Sequence, residues 1–253
     1  MLDTSTREKA QSNFHCDIDI LDNPSVEKFW TSYLYLNKPA LLHNSVNHWP
    51  AFEKWQDLNY FMKIARNRTV PIELGKKYDN DDWSQGLFKF GDFLMEYMRE
   101  DSQPKKQGYL AQHELQNQIP QLSKDIVVPD YCAISSEEPT IKYWIGPKGT
   151  ISTTHTDPNQ NLLCQLVGEK LIILAAPDQA PFLYPYEGIL NNTSQVDPEN
   201  ADYKQFPLSK NIKFLKIILK AGDMLFIPKL WFHYVRSLTP SISVSFWFNS
   251  DDE

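Results

Sequence analysis

What most limits the fold of this chain is a block of short apolar runs in its second half. They are Thr140–Ile145, Asn161–Val167, Lys170–Ala175, Phe214–Leu219, Met224–Ile227, His233–Leu238 and Ile242–Phe248. Each has the length of a strand, and Gly, Pro, Asn and Asp stand between them. Gly168-Glu169 and Ala221-Gly222-Asp223 read as tight turns joining strands. Many short strands in one block predict a sandwich or barrel. From Pro177 to Lys213 the block is broken by a Pro- and Asn-rich excursion, and long loops of this kind serve as lids or binding loops.

Before about Tyr109 the pattern is mixed. Asn23 as N-cap and Pro24 at the first helical position predict a helix whose apolar face is Val26, Phe29, Trp30, Tyr33 and Leu34. Asp57 is placed to cap a second helix with Leu58, Phe61, Met62 and Ala65 on one face. Lys38–Leu42 and Thr69–Leu74 read as strands, Phe90–Met98 as a third helix, and Glu100–Lys106 as a charged loop. The chain divides into a polar lead-in over 1–20, a helical and mixed part over 21–108, and a β-rich core over 109–250.

Composition narrows the function classes. A net charge of −7 does not favour direct nucleic-acid binding; it suits a cationic protein substrate better. Cys16, Cys132 and Cys164 are far apart and odd in number, so a reducing compartment is expected. No leader-like N-terminus and no apolar run of spanning length is read, so the expectation is an intracellular protein, in nucleus or cytoplasm, without a membrane partner.

The chemistry-bearing pattern is His155-Thr156-Asp157, followed far along the chain by His233. Two imidazoles and one carboxylate can fill one face of Fe(II) and leave positions open. Residues i and i+2 on a strand share a face, so His155 and Asp157 could reach one ion from the start of a strand or its leading loop. His233 follows the turn and apolar run Gly222–Pro228, long enough after Asp157 for a later strand to return alongside. Lys170 sits among Leu171 to Leu174; a lysine facing a core is costly unless an anion pairs with it, and a dicarboxylate cosubstrate would supply one. His15, His43, His48 and His113 have no ligand spacing and read as structural or surface residues. Cys164 reads as a buried strand residue.

These residues resemble the JmjC family of Fe(II)/2-oxoglutarate oxygenases. The resemblance rests on His155–Asn161, Lys170, Gly222–Pro228 and His233. It is strengthened by Gly108–His113, Ile126–Cys132, Asn192–Asp197 and Ser243–Trp247, which look like the arginyl-hydroxylase branch. It implies a mainly β fold with flanking helices, a double-stranded β-helix or cupin-type jelly roll. It implies Fe(II) on His155, Asp157 and His233, with 2-oxoglutarate and O2 as cosubstrates. Lys170 would pair with the distal carboxylate, with Tyr109, Ser152, Asn161 and Trp247 also contacting the cosubstrate. Glu73, Gln112 and Trp144 match an arginine pocket; a carboxylate can take a guanidinium bidentately and an aromatic face can stack on it. Thr153-Thr154 depart from the family, where Pro and an apolar residue are common.

Three functions remain open at this point. One is hydroxylation of an arginine side chain in a protein or peptide. A second is histone N-methyl-lysine demethylation by the same oxidant. A third is a non-catalytic cupin-like binding module or a zinc peptidase; no HExxH helix is present for the latter.

Overall fold

The computed structural model of the protein describes residues 18–75, 83–99, 101–102 and 104–250, together with the backbone of Phe14 and His15. Cys16, Glu100 in the charged loop, most of the lead-in and the tail 251–253 lie outside the described residues.

Fourteen strands are described: β1 Phe14–His15, β2 Asp19–Asp22, β3 Ala40–His43, β4 Thr69–Leu74, β5 Ser84–Lys89, β6 Gly108–His113, β7 Thr140–Gly146, β8 Ile151–His155, β9 Gln160–Val167, β10 Glu169–Ala175, β11 Phe214–Lys220, β12 Met224–Ile227, β13 Phe232–Ser237 and β14 Ser241–Phe248. They form a smaller sheet in the order β1-β11-β10-β13-β8 and a larger one in the order β2-β3-β12-β9-β14-β7-β6-β4-β5. The architecture is a jelly roll with flanking helices.

Strand alternation sorts the apolar residues into three layers. Leu163, Ile172, Leu174, Ile217, Leu225 and Val235 face inward and meet between the sheets. The other face of the large sheet, with Leu162, Cys164, Val244 and Phe246, packs under a helical cap supplying Phe29, Trp49, Trp55, Phe61 and Phe93. The other face of the small sheet, with Leu171, Ile173 and Tyr234, is covered by Leu183, Val196 and Ile212 of the excursion. The excursion is therefore fastened down over most of its length. The turn at Gly168 has φ +75° and that at Gly222 φ +100°, left-handed conformations open to glycine at little cost.

The first helix differs from expectation. It begins at Val26, and its N-cap is Ser25, whose side chain accepts from the Lys28 N–H. Asn23 instead takes φ 41° in the turn before it. The regular turns cover Val26–Phe29 (α1), then widen into a π-helix over Trp30–Leu34. A short helix, α2, spans Pro50–Lys54. Asp57 caps α3, Leu58–Ala65, as expected, and α4 spans Phe90–Tyr97. Buried Asp125 joins the cap together: it accepts from Lys54 Nζ at 2.6 Å, from Trp55 Nε1 at 3.2 Å and from the Tyr60 hydroxyl. No helix among the described residues is long and apolar enough to cross a membrane.

Candidate active site

His155 is the last residue of β8 and His233 the second of β13, and the two are directly opposite in an antiparallel pair. Their ring centroids stand 4.2 Å apart. Asp157 is not on the strand. It lies in the loop between β8 and β9, so it reaches the histidines because the chain turns there and not because i and i+2 share a strand face. One donor atom from each of the three residues lies within 4.8 Å of the others, the one such cluster among the described residues.

Each histidine has its Nδ1 against a backbone carbonyl: Thr153 O at 2.6 Å for His155 and Trp231 O at 3.0 Å for His233. That contact holds the proton on Nδ1 and leaves the Nε2 lone pair for a metal. His155 Nε2 lies 3.8 Å, and His233 Nε2 3.5 Å, from the two Asp157 oxygens. Burial and the neighbouring His233 press the His155 pKa down to about 4, so this ring is neutral at pH 7. Burial acts the same way on His233, but the Asp157 carboxylate outweighs it and raises its pKa. Asp157 would be raised by burial and is held low by its histidine neighbours. The donor set fits Fe(II): two imidazole nitrogens and a carboxylate on one side of a cavity.

The narrow cavity runs from these ligands along the inner wall past Tyr109, Ser152, Asn161 and Lys170. Lys170 starts the inward set of β10 that continues with Ile172 and Leu174. Its side chain is wrapped in protein, the residue being only 1% exposed. Its Nζ reaches the Tyr109 hydroxyl at 3.5 Å, and no carboxylate lies within ion-pair distance among the described residues. Desolvation lowers its pKa to about 7. Burial raises the pKa of the Tyr109 phenol, so it remains a donor. Asn161 Oδ1 and Trp247 Nε1 are buried without hydrogen-bond partners among the described residues. A buried lysine amine without a counter-charge, beside the Tyr109 hydroxyl donor, fits a small dianionic ligand, which would hold the amine in its charged form. Trp247 itself is not on the cavity wall. It pairs in register with Asn161, and Lys142 Nζ lies 5.9 Å over its ring.

Beside the metal ligands a second cleft, of about 320 Å³, opens between β6 and β8. Glu73, Gln112 and Trp144 all line it. Glu73 is paired with Tyr109 in register, and burial raises its pKa although the Trp83 side chain hydrogen-bonds to it. Gln112 is at φ 52°, where the β6–β7 pairing shifts register. Trp144 donates from Nε1 to Ser245 Oγ at 3.1 Å, which fixes its ring 6.1 Å from that of Tyr109.

Sequence reasoning did not single out Leu190, Asn192 and Thr193 as lining residues. They belong to the excursion and form the other bank of the cleft. Their position follows from backbone bonds between the excursion and the β8 edge; the sequence signals were the long Pro- and Asn-rich segment and, for Asn192 and Thr193, the resemblance carried by Asn192–Asp197. His43 accompanies Asp223 at 2.8 Å and His48 stacks edgewise on Trp49. Neither joins the cluster.

Similarity to known proteins agrees with this geometry. Residues 26–253 match the model of the cupin-like domain. The chain belongs to the cupin-like family, and it is a JmjC domain. It is 49% identical over 243 residues to Jumonji C domain-containing protein 5 of Drosophila melanogaster, covering 92% of this chain and 60% of that protein. It is 43% identical over 246 residues to lysine-specific demethylase 8 of Xenopus tropicalis, covering 96% of this chain and 53% of that protein. The human bifunctional peptidase and (3S)-lysyl hydroxylase JMJD7 is 25% identical over 269 residues, covering 92% and 84% of the respective chains. The JmjC domain thus spans little more than half the length of the first two relatives.

Proposed function

We propose that the protein is an Fe(II)- and 2-oxoglutarate-dependent hydroxylase that acts on arginine side chains of a protein substrate. The observation that carries the oxygenase reading is the joint placement, on one cavity, of the His155–Asp157–His233 donor set and the uncompensated Lys170 cation. Iron bound there, with 2-oxoglutarate and O2, supplies an oxidant that couples loss of CO2 to insertion of one oxygen into a C–H bond.

The chain's own residues do the rest. His155, Asp157 and His233 hold the metal on one side and leave the cavity side open. Lys170, with the Tyr109 hydroxyl, meets the distal carboxylate of the cosubstrate, and Ser152 and Asn161 line its path. The narrow inner cavity limits water once the cosubstrate fills it, while the wider cleft admits a side chain from outside.

Arginine is favoured by the chemistry of the cleft. Glu73 is a half-buried carboxylate, Trp144 offers a fixed aromatic face, and Gln112 adds amide donors and acceptors. A planar guanidinium uses all three. A second reading, demethylation of N-methyl-lysine, is favoured by the name of the Xenopus tropicalis relative. A trimethylammonium calls for a fuller aromatic cage than Trp144 with Tyr109 behind it. The test is product mass on arginine and methyl-lysine peptides with Fe(II), 2-oxoglutarate and O2. One added oxygen on arginine, absent with His155→Ala, is the expected result. Loss of a methyl group from lysine moves the assignment to demethylase.

A further inference from the structure

Thr156 lies between two metal-ligand candidates, and its backbone is gripped by one residue from far along the chain. The Thr156 N–H donates to Asn192 O at 2.9 Å. The Thr156 carbonyl accepts from Asn192 Nδ2 at 3.0 Å. Asn192 Oδ1 accepts from Thr193 Oγ1 at 3.3 Å, which orients the amide with its NH2 toward Thr156. The neighbours continue the contact: Thr193 bridges His155, and Ser194 N–H donates to Thr154 O at 2.8 Å. The Leu230 N–H, in the turn that leads into His233, donates to Asp157 O at 2.8 Å. The loop carrying Asp157 is therefore tied at two points, one on the excursion and one on the turn before the strand that brings the third ligand.

We propose that Asn192 is a positioning residue for the metal centre: by bracketing Thr156 it sets the angle at which His155 and Asp157 present their donor atoms. The proposal rests on the metal reading of the triad. Asn192 is exposed and also lines the outer cleft, so the bracket sits where substrate enters. Its side-chain half can be removed without opening the core, because the main-chain half and the bridges on either side persist. Loosening it frees the loop bearing Asp157 while leaving the ligands themselves intact, as expected of groups that orient a metal ligand from behind.

The experiment is anaerobic titration of the metal-free protein with Co(II) alone, followed by absorption, on the parent chain, Asn192→Asp and Gln195→Ala. Asn192→Asp keeps the shape and replaces the donor with an oxygen facing the Thr156 carbonyl. Gln195→Ala is a control on the same excursion, where the side chain makes only a 3.5 Å contact with Pro185 O. The expected result is a Kd raised about 3- to 10-fold for Asn192→Asp, the worth of one solvent-edge hydrogen bond, with Gln195→Ala unchanged. A shifted Co(II) spectrum and faster amide exchange at Thr156 and Asp157 are expected with it, and a purely structural role elsewhere would move neither. Equal Kd and equal exchange in all three chains overturns the proposal. A parent chain that binds no Co(II) overturns the metal reading first, and this inference with it.

Discussion

The inner cavity and the outer cleft share a wall but are built differently. In the inner cavity Asn161, Lys170 and His233 sit at inward positions of β9, β10 and β13, and His155 ends β8, all within hydrogen-bonded ladders. Each residue's direction is set by the pleat, and a one-residue slip would turn it away from the cavity. The outer cleft is assembled from β4, from a register shift in β6 at Gln112, and from the excursion. Glu73 and Trp144 still stand in ladders, on β4 and β7, but Gln112 and the excursion residues are placed by irregular backbone and by a few side-chain bonds. The difference suggests a division of labour: the ladder holds the groups needed for any substrate, and the irregular rim holds those that choose one. Variants of the two regions should then fail in different ways.

The largest effect falls on the triad. Asp157→Ala leaves two imidazoles about one ion and removes the only negative charge in the donor set. Metal binding by titration calorimetry is expected to fall by at least about two orders of magnitude, in line with loss of a ligand and worse than loss of an orienting group. Retention of parent affinity would remove the metal centre from this account.

Lys170→Met comes next, and its two consequences have opposite signs. The long apolar side chain fills the same space without a buried charge. The empty protein is expected to gain stability, seen as a higher unfolding temperature. Affinity for 2-oxoglutarate is expected to drop about 100-fold, as befits a lost charge-assisted contact in a dry site. A variant both destabilised and unchanged in cosubstrate binding would show that Lys170 is only a packing residue.

The same lysine gives a pH dependence. Its folded-state pKa, near 7, lies below the ordinary value of 10.5, so the unfolded chain binds more protons between those limits. From this group alone the empty protein gains stability as pH rises from 7 toward 10.5. A bound dicarboxylate favours the charged form and reverses the trend. Affinity for 2-oxoglutarate should weaken as pH rises above about 7, with proton uptake on binding visible in buffers of different ionisation heat. Flat affinity from pH 6.5 to 9 would contradict this.

How far each region could be read from the sequence follows the same divide. β12 has the bounds the apolar run predicts, and β9, β10, β11 and β14 differ from theirs by only a residue, because alternation and bounding turns are both strong there. Of the two inner-wall strands nearest the metal, β13 was legible and β8, Ile-Ser-Thr-Thr-His, was not. Its inward residues are polar because they line a cavity, so the apolar signal is missing where function replaces it. β5, Ser-Gln-Gly-Leu-Phe-Lys, was missed because it is an edge strand with much of its surface in solvent. Asn23 lost the cap position to Ser25 two residues on: both can cap, and local sequence ranks them equally. The contacts of Asn192 and Leu230 with the metal loop join residues far apart, two of them through backbone atoms alone and one through the Asn192 amide, and nothing in the local sequence pairs these segments.

On the rim, Glu73→Gln keeps size and removes charge. The KM for an arginine peptide is expected to rise about 10- to 100-fold, the range for a charged hydrogen bond, while 2-oxoglutarate affinity stays at the parent value. Loss of both together would mean that the rim and the chamber are not separable.

The smallest effect tests what fastens the rim. Glu199, on the excursion, accepts from Arg236 Nε at 2.5 Å and Nη2 at 2.8 Å, and from the Tyr234 hydroxyl at 2.7 Å. Both partners are on β13, beside His233 in sequence but on the sheet's opposite face. Burial would raise the Glu199 carboxyl, but Arg236 and Tyr234 outweigh it and hold it below the usual range. Its contribution is therefore complete above the ordinary carboxylate pKa and fades as pH falls through the lowered value. Glu199→Gln keeps the apolar contacts of Leu183, Val196 and Ile212, so the excursion should remain seated and the protein lose only about 1–2 kcal/mol, roughly 2–8 °C in Tm for a chain of this size. The loss should vanish in acid, where the parent carboxylate is itself protonated. Peptide KM should rise a few-fold through the loosened bank carrying Leu190 and Asn192, with Lys170-dependent cosubstrate binding untouched. A fall in 2-oxoglutarate affinity equal to the rise in peptide KM would show instead that this clamp acts through His233 and belongs to the chamber.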